Sequence, residues 1–255
     1  MLTAAAPAFA EDDADELAKK LSNPVAAMIS VPLQMNFDFG AGLGDDGFAY
    51  TMNIQPVIPI AISDDWNMIS RTILPIAYRD YLPPLGGDTS GLGDITQSLF
   101  FSPKKPGPGG IIWGVGPAFL IPTATDDFLG AGKFGIGPTA VVLKQTGPWT
   151  IGGLANHIWS VAGDGGREDV NATFLQPFLA YALGHGATIS LNAETSYDWV
   201  ANQWTVPINL GVSQVFKIGG QAMSFQVGGK YYAEAPEGGP AWGIRTTLTL
   251  LFPEK

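Results

Sequence analysis

From Ile29 onward, apolar and polar residues alternate. Ile29, Val31, Leu33, Met35, Phe37 and Phe39 are apolar, and Ser30, Gln34, Asn36 and Asp38 lie between them, with Pro32 the exception. A period of two is the signature of a strand whose faces meet different surroundings. After a Gly-rich gap at 40–47 the pattern resumes with Phe48, Tyr50, Met52, Ile54, Ile58 and Ile60 set against Ala49, Thr51, Asn53 and Gln55. Ten further segments follow, near 66–78, 93–102, 111–122, 133–143, 149–161, 171–183, 187–199, 204–216, 221–233 and 241–252. The segment 187–199 is the cleanest; those near Gly93 and Trp149 are ambiguous in phase. The connections alternate too. Those after the even-numbered segments are short, as in Ser63-Asp64-Asp65 and Gly184-His185-Gly186. Most of those after the odd-numbered ones are longer, 201–203 being a short exception.

Twelve long strands, even in number, with short turns at one end and longer loops at the other, predict an all-β fold: a 12-stranded antiparallel transmembrane β-barrel of outer-membrane type. The segment lengths suit tilted membrane strands, which need about 9 to 11 residues. Trp66, Trp149, Trp204 and Trp242 open their segments and Trp199 closes one, as rings gathered at membrane–water boundaries do. A soluble β-sandwich also alternates, but its strands are usually shorter and its apolar face points inward.

Composition narrows the reading. Of 255 residues only 14% are charged, against roughly a quarter in soluble domains, and no run approaches the roughly 18 apolar residues of a spanning helix. Gly (33) and Pro (20) are too frequent for a mainly helical chain. A net charge of −10 argues against nucleic acid as a partner. With no Cys, disulfides and thiolate metal sites are excluded, and nothing calls for a cofactor or a metal. The chain opens MLTAAAPAFA, whose Ala8-Phe9-Ala10 is a cleavage pattern, so residues 1–10 read as a signal-peptide remnant, 11–27 as a periplasmic segment and 28–255 as the barrel. Within 11–27, Asp15–Asn23 carries Leu17 and Leu21 at helical spacing with Pro24 beyond. Too short to be stable alone, this helix must dock. Lying flat at the inner rim is one solution; plugging the lumen against an apolar wall on strands 5–8 is the other.

The stretches ELAKKLSNPVAAMISVPLQMNFDFG, YTMNIQPVIPI, DDWNMISRTILPIAY, GLGDITQSLFFSP and NHIWSVAG together resemble a bacterial outer-membrane family grouped as MetA-pathway of phenol degradation. Its members are often labelled transporter or neuromedin U. The resemblance spans nearly the whole chain from Glu16. It implies an outer-membrane barrel that passes aromatic or other hydrophobic compounds, and it supplies no catalytic motif.

Face assignment then sorts the lumen. One wall is polar and the other apolar, the latter through Leu120, Leu154, Ile158, Phe174 and Phe178. Asp38, Arg71, Lys133, Glu194, Asp198, Lys230 and Arg245 are the charged candidates for a constriction, Asp38 and Arg245 pairing across the seam between strands 1 and 12. A structural salt-bridge network fits the same residues. Prolines at 56, 59, 75, 117, 122, 138, 177 and 207 each remove a ladder donor, which implies bulges, read either as wall curvature or as a lateral gap. The acidic loops (Asp126, Asp127, Asp164 and Glu168 among them) read as solvated surface rather than divalent-cation sites. Asn156, His157 and Ser160 evoke an outer-membrane lipid-modifying enzyme. His157 and Ser160 point to opposite faces of a strand, however, so no enzyme is expected. The reading is a channel in the bacterial outer membrane for small hydrophobic or aromatic solutes, with the bilayer, lipopolysaccharide and the barrel-assembly machinery as partners. The alternative is a structural or surface-interaction barrel without a conducting lumen.

Overall fold

The computed structural model describes residues 11–42, 44–80 and 87–252. Residues 1–10, read above as a signal-peptide remnant, and the last three residues lie outside them. One helix, α1 (Glu11–Leu21), precedes the strands. The strands are β1 (Ile29–Ala41), β2 (Gly47–Ile54, continued by Val57–Ala61) and β3 (Trp66–Arg79). Next come β4 (Thr89–Leu92, continued by Ile95–Pro103), β5 (Ile111–Ile121) and β6 (Lys133–Thr146). They are followed by β7 (Trp149–Gly163), β8 (Asn171–Gly184) and β9 (Ala187–Ala193, continued by Thr195–Asp198). Last are β10 (Gln203–Thr205, continued by Pro207–Ile218), β11 (Gln221–Tyr232) and β12 (Trp242–Phe252).

Each strand pairs antiparallel with its neighbours in sequence, and β12 returns to β1 from Ile29↔Phe252 to Phe39↔Trp242. Closure leaves no unpaired edge. The fold is therefore the twelve-stranded antiparallel barrel that the alternation predicts.

Alternation decides which side chains go out. Ile189 and Leu191 on β9, Leu210 and Val212 on β10 and Phe225 and Val227 on β11 are large, apolar and exposed. Rings rim this band at both ends: Trp66 against Trp113 and Trp149 against Tyr181 near one mouth, Phe39 against Trp242 and Tyr197 against Trp204 near the other. We call the end that carries α1 the inner mouth.

The prolines leave local marks. Pro56 and Pro207 sit where β2 and β10 are interrupted. Pro117 and Pro138 face each other across β5 and β6. On their other sides the ladders β4–β5 and β6–β7 skip the positions around them, since proline has no N–H to offer. Gly116 and Gly137 lie beside them, and a Cβ at either would run into the backbone carbonyl of Leu99 or of His157. The strands stay contiguous around the barrel, so these are irregularities within a closed wall.

Candidate functional site: the barrel lumen

The helix packs at the inner mouth. Ala14, Leu17, Ala18 and Leu21 recur at i, i+3, i+4 and i+7, one helical face, and the first three are buried against Val215 (β10), Ala222 (β11), Leu251 (β12) and Met28. Two polar contacts fix its pose. The Gly186 N–H, in the β8–β9 turn, donates to Asp15 Oδ1 at 2.5 Å, and Gln145 Nε2 donates to the Lys19 carbonyl at 2.9 Å. Lys20 pairs with Glu16 at 2.7 Å, an i, i+4 pair. The docking wall differs from the one expected on strands 5–8. That wall packs instead with side chains of the adjoining strands and of the segment after α1. Ile69 (β3) and Phe100 (β4) are fully buried and join Val141, Leu143, Leu154 and Val25 of the segment after α1, with Phe174 and Phe178 packed on them. Leu120 and Ile158 meet over Gly135 nearer the outer mouth.

Above the helix lies a cavity of about 280 Å³. Ser22 and Met28 border it on the helix side. Its polar wall carries Ser30, Gln34, Gln55, Ser190, Asn192, Ser224, Gln226, Thr247 and Thr249, and Phe178 and Val57 add an apolar patch. Arg71 on β3 reaches into it and donates to Gln55 Oε1 at 3.3 Å.

Four of the seven charged candidates meet in one cluster on the outer-mouth side of this cavity. Arg245 donates through Nη1 and Nη2 to both carboxylate oxygens of Glu194, at 2.9 and 2.6 Å, and through Nε to Asn36 Oδ1 at 2.8 Å. This bidentate pair spans the lumen from β12 to the interruption in β9, where Glu194 sits. Lys230 donates to Asp38 at 2.8 Å, with side chains only 5% and 10% exposed. The pairing expected across the seam is thus replaced by two others, and the register explains why. Lys230 on β11 stands opposite Gly243 on β12, which stands opposite Asp38 on β1. Gly243 has no side chain, so Lys230 reaches over β12. Arg245 stands opposite Asn36 and takes its amide. Glu194 also lies within electrostatic reach of Lys230 and Arg71.

Two candidates stay apart. Lys133, at the outer end of β6, donates to Asp169 at 3.1 Å. That bond, with a second from Ser160, holds the Asp169 carboxyl below its ordinary value. Asp198, at the outer end of β9, is exposed and accepts from the N–H groups of Val200 and Ala201 at 2.8 and 3.1 Å, which makes it a turn cap rather than a lumen charge. Sequence reasoning missed Gly243, whose role depends on three-strand register, and Ile69 and Phe100, whose strands flank the ambiguous stretch at Gly93. Among the loop acids, Asp126 and Asp164 accept backbone N–H bonds within their own loops. No group of three His, Asp or Glu side chains that would hold a metal occurs among the described residues. His157 shares a 2.7 Å hydrogen bond with Thr173 Oγ1, while Ser160 donates to Asp169, so the two do not meet.

No protein-family model matches the chain, and no curated protein matches its sequence. Among solved structures, the COG4313 outer membrane channel from Pseudomonas putida F1 superposes with a TM-score of 0.69 at 14% identity, over 89% of this chain and 96% of that one. At that identity the likeness speaks for the fold. The β domain of the Bordetella autotransporter BrkA (13% identity; 89% of this chain, 100% of that one) and outer membrane phospholipase A from Escherichia coli (11%; 94% and 98%) both score 0.48.

Proposed function

We propose that this chain is a channel in the bacterial outer membrane for small molecules that carry an apolar part. The observation that carries the reading is the lumen itself. A cavity of about 280 Å³ sits inside the barrel, with α1 at one end and the Arg245–Glu194 and Lys230–Asp38 pairs near the other. Its lining joins hydroxyls and amides to an apolar patch, the mixed surface that small-molecule sites use. Eight-stranded barrels are filled by their side chains and sixteen-stranded ones leave an aqueous channel; twelve strands leave room for a narrow path that a helix and a few charges can close. The exposed apolar band between two sets of rings suits a bilayer, with lipopolysaccharide at the outer rim and the barrel-assembly machinery as the insertion partner. Phe178 on β8 and Val57 on β2, the apolar patch of the cavity, favour an aromatic or aliphatic solute. His157 and Ser160 bond to different partners, which speaks against a Ser–His pair at that place.

A second reading, a structural barrel with a sealed lumen, draws on the helix packed against the inner wall. Liposome swelling separates the two. Vesicles carrying the refolded protein should swell faster in isotonic phenol or benzyl alcohol than protein-free vesicles corrected for bilayer leakage. Equal rates, with the barrel shown to be folded, contradict the channel.

A further inference from the structure

Charge accounting inside the barrel singles out one residue. Arg245 is matched by Glu194, Lys230 by Asp38 and Lys133 by Asp169. Arg79, nearer the outer mouth, spends its guanidinium on the Tyr50 and Tyr78 carbonyls and Thr51 Oγ1. Arg71 differs from all of these. Among the described residues its guanidinium makes one hydrogen bond, to Gln55 at a long 3.3 Å, and no carboxylate lies within ion-pair distance of it. Glu194, the nearest acid in electrostatic reach, is already held at both oxygens by Arg245. Most of the five donors of the Arg71 fork are therefore unspent, and they line the cavity.

A cation enclosed without a counter-charge is costly, and a guanidinium with free donors matches a carboxylate in geometry as well as in charge. The cavity wall around Arg71 supplies neutral amides and hydroxyls, which accept or donate without adding charge. Phe178 and Val57 supply the apolar patch. At about 280 Å³ the cavity lies near the small end of ordinary small-molecule sites, about 300–1,000 Å³.

We infer that Arg71 is the anion-binding residue of the lumen and that the solute is a small organic monocarboxylate with an apolar body. The inference rests on the channel reading for its biological sense, but its test does not. The carboxylate takes the Arg71 fork, and the ring or short chain lies against Phe178 and Val57. Among the described residues, no other strand side chain on the cavity wall offers a positive charge to the solute; Lys20, at the helix side, pairs with Glu16.

The experiment is equilibrium binding to the full refolded chain in detergent, by calorimetry, with sodium benzoate and with benzamide, its neutral isostere, at fixed ionic strength. Benzoate should bind roughly tenfold tighter or more, the scale of hydrogen bonds to a charged group. Arg71→Gln should lower benzoate affinity by a similar factor and leave benzamide unchanged, while Arg71→Lys keeps part of the preference. Equal affinity of the wild type for the two probes overturns the assignment, as does an Arg71→Gln variant that binds benzoate like the wild type. If Arg71→Gln fails to refold, the wild-type comparison and Arg71→Lys decide alone. Binding through Arg71 in a barrel that passes no solute supports this site and overturns the channel reading.

Discussion

Gly243→Ala separates local preference from three-strand geometry. By propensity, alanine in a strand interior gains roughly 0.5–1 kcal/mol over glycine, so a reading from β12 alone predicts a more stable barrel. The structure predicts the opposite sign. A Cβ at Gly243 would lie 2.5 Å from Asp38 Oδ1 and 2.7 Å from the Phe37 carbonyl, closer than real Cβ contacts allow. The Asp38 carboxylate has to leave the line along which Lys230 crosses β12 to reach it at 2.8 Å. Losing one charge-assisted hydrogen bond costs about 1.5–3 kcal/mol, and stranding one member of a buried pair costs about 3–5 kcal/mol. Lys230 retains contact with Tyr232, so a net loss nearer the lower range is expected. Urea-dependent folding into short-chain lipid vesicles, followed by tryptophan fluorescence, measures it. Asp38→Asn should be destabilising in the wild type and add little in the Gly243→Ala background, because both remove the same interaction. A Gly243→Ala barrel as stable as the wild type, or an Asp38→Asn cost that is unchanged in that background, refutes the reasoning.

Gly137→Ala should destabilise the barrel, because the added methyl collides with the His157 carbonyl at a ladder already broken by Pro138; the same urea titration checks it, with Gly229→Ala, where an added Cβ meets nothing within 4 Å, as the control for loss of a strand glycine. Leu17→Ala removes about three buried carbons from the docked helix at about 0.8 kcal/mol each, so trypsin should cleave after Lys19 or Lys20 at least tenfold faster while the heat-modifiable barrel band persists. Leu191→Arg, on the exposed apolar face, should cost about 2–4 kcal/mol near the midplane. Asn192→Arg, at the next position and lining the cavity, should cost much less; equal costs would reverse the face assignment.

The barrel was legible because its physics is local. Each strand meets two surroundings, so a face can be read from parity alone, as Ile189 and Leu191 outside and Asn192 inside show. Parity fixes the face but not the height or the reach of a side chain. Asp198 has the parity of a lumen residue, yet it lies one step from a tight turn whose backbone N–H groups it caps. Arg245 and Asp38 lie on adjacent strands, yet the register sets Arg245 against Asn36 and puts a glycine beside Asp38. The helix was legible from Leu17 and Leu21; its docking wall was not. The wall depends on which inward residues of β10–β12 stand at the inner mouth, and Val215, Ala222 and Leu251 are unremarkable until closure brings them together. At β4 the interruption at Gly93 and Asp94 hides the phase that places Phe100 in the core.

If the lumen conducts and α1 limits it, single-channel recording in planar bilayers of the refolded chain, beside a variant lacking residues 11–22, should show discrete current steps from both, with larger or longer openings in the deletion, since removing the helix uncovers the cavity at its inner end. Two correctly folded, inserted barrels that show no steps would contradict the channel reading.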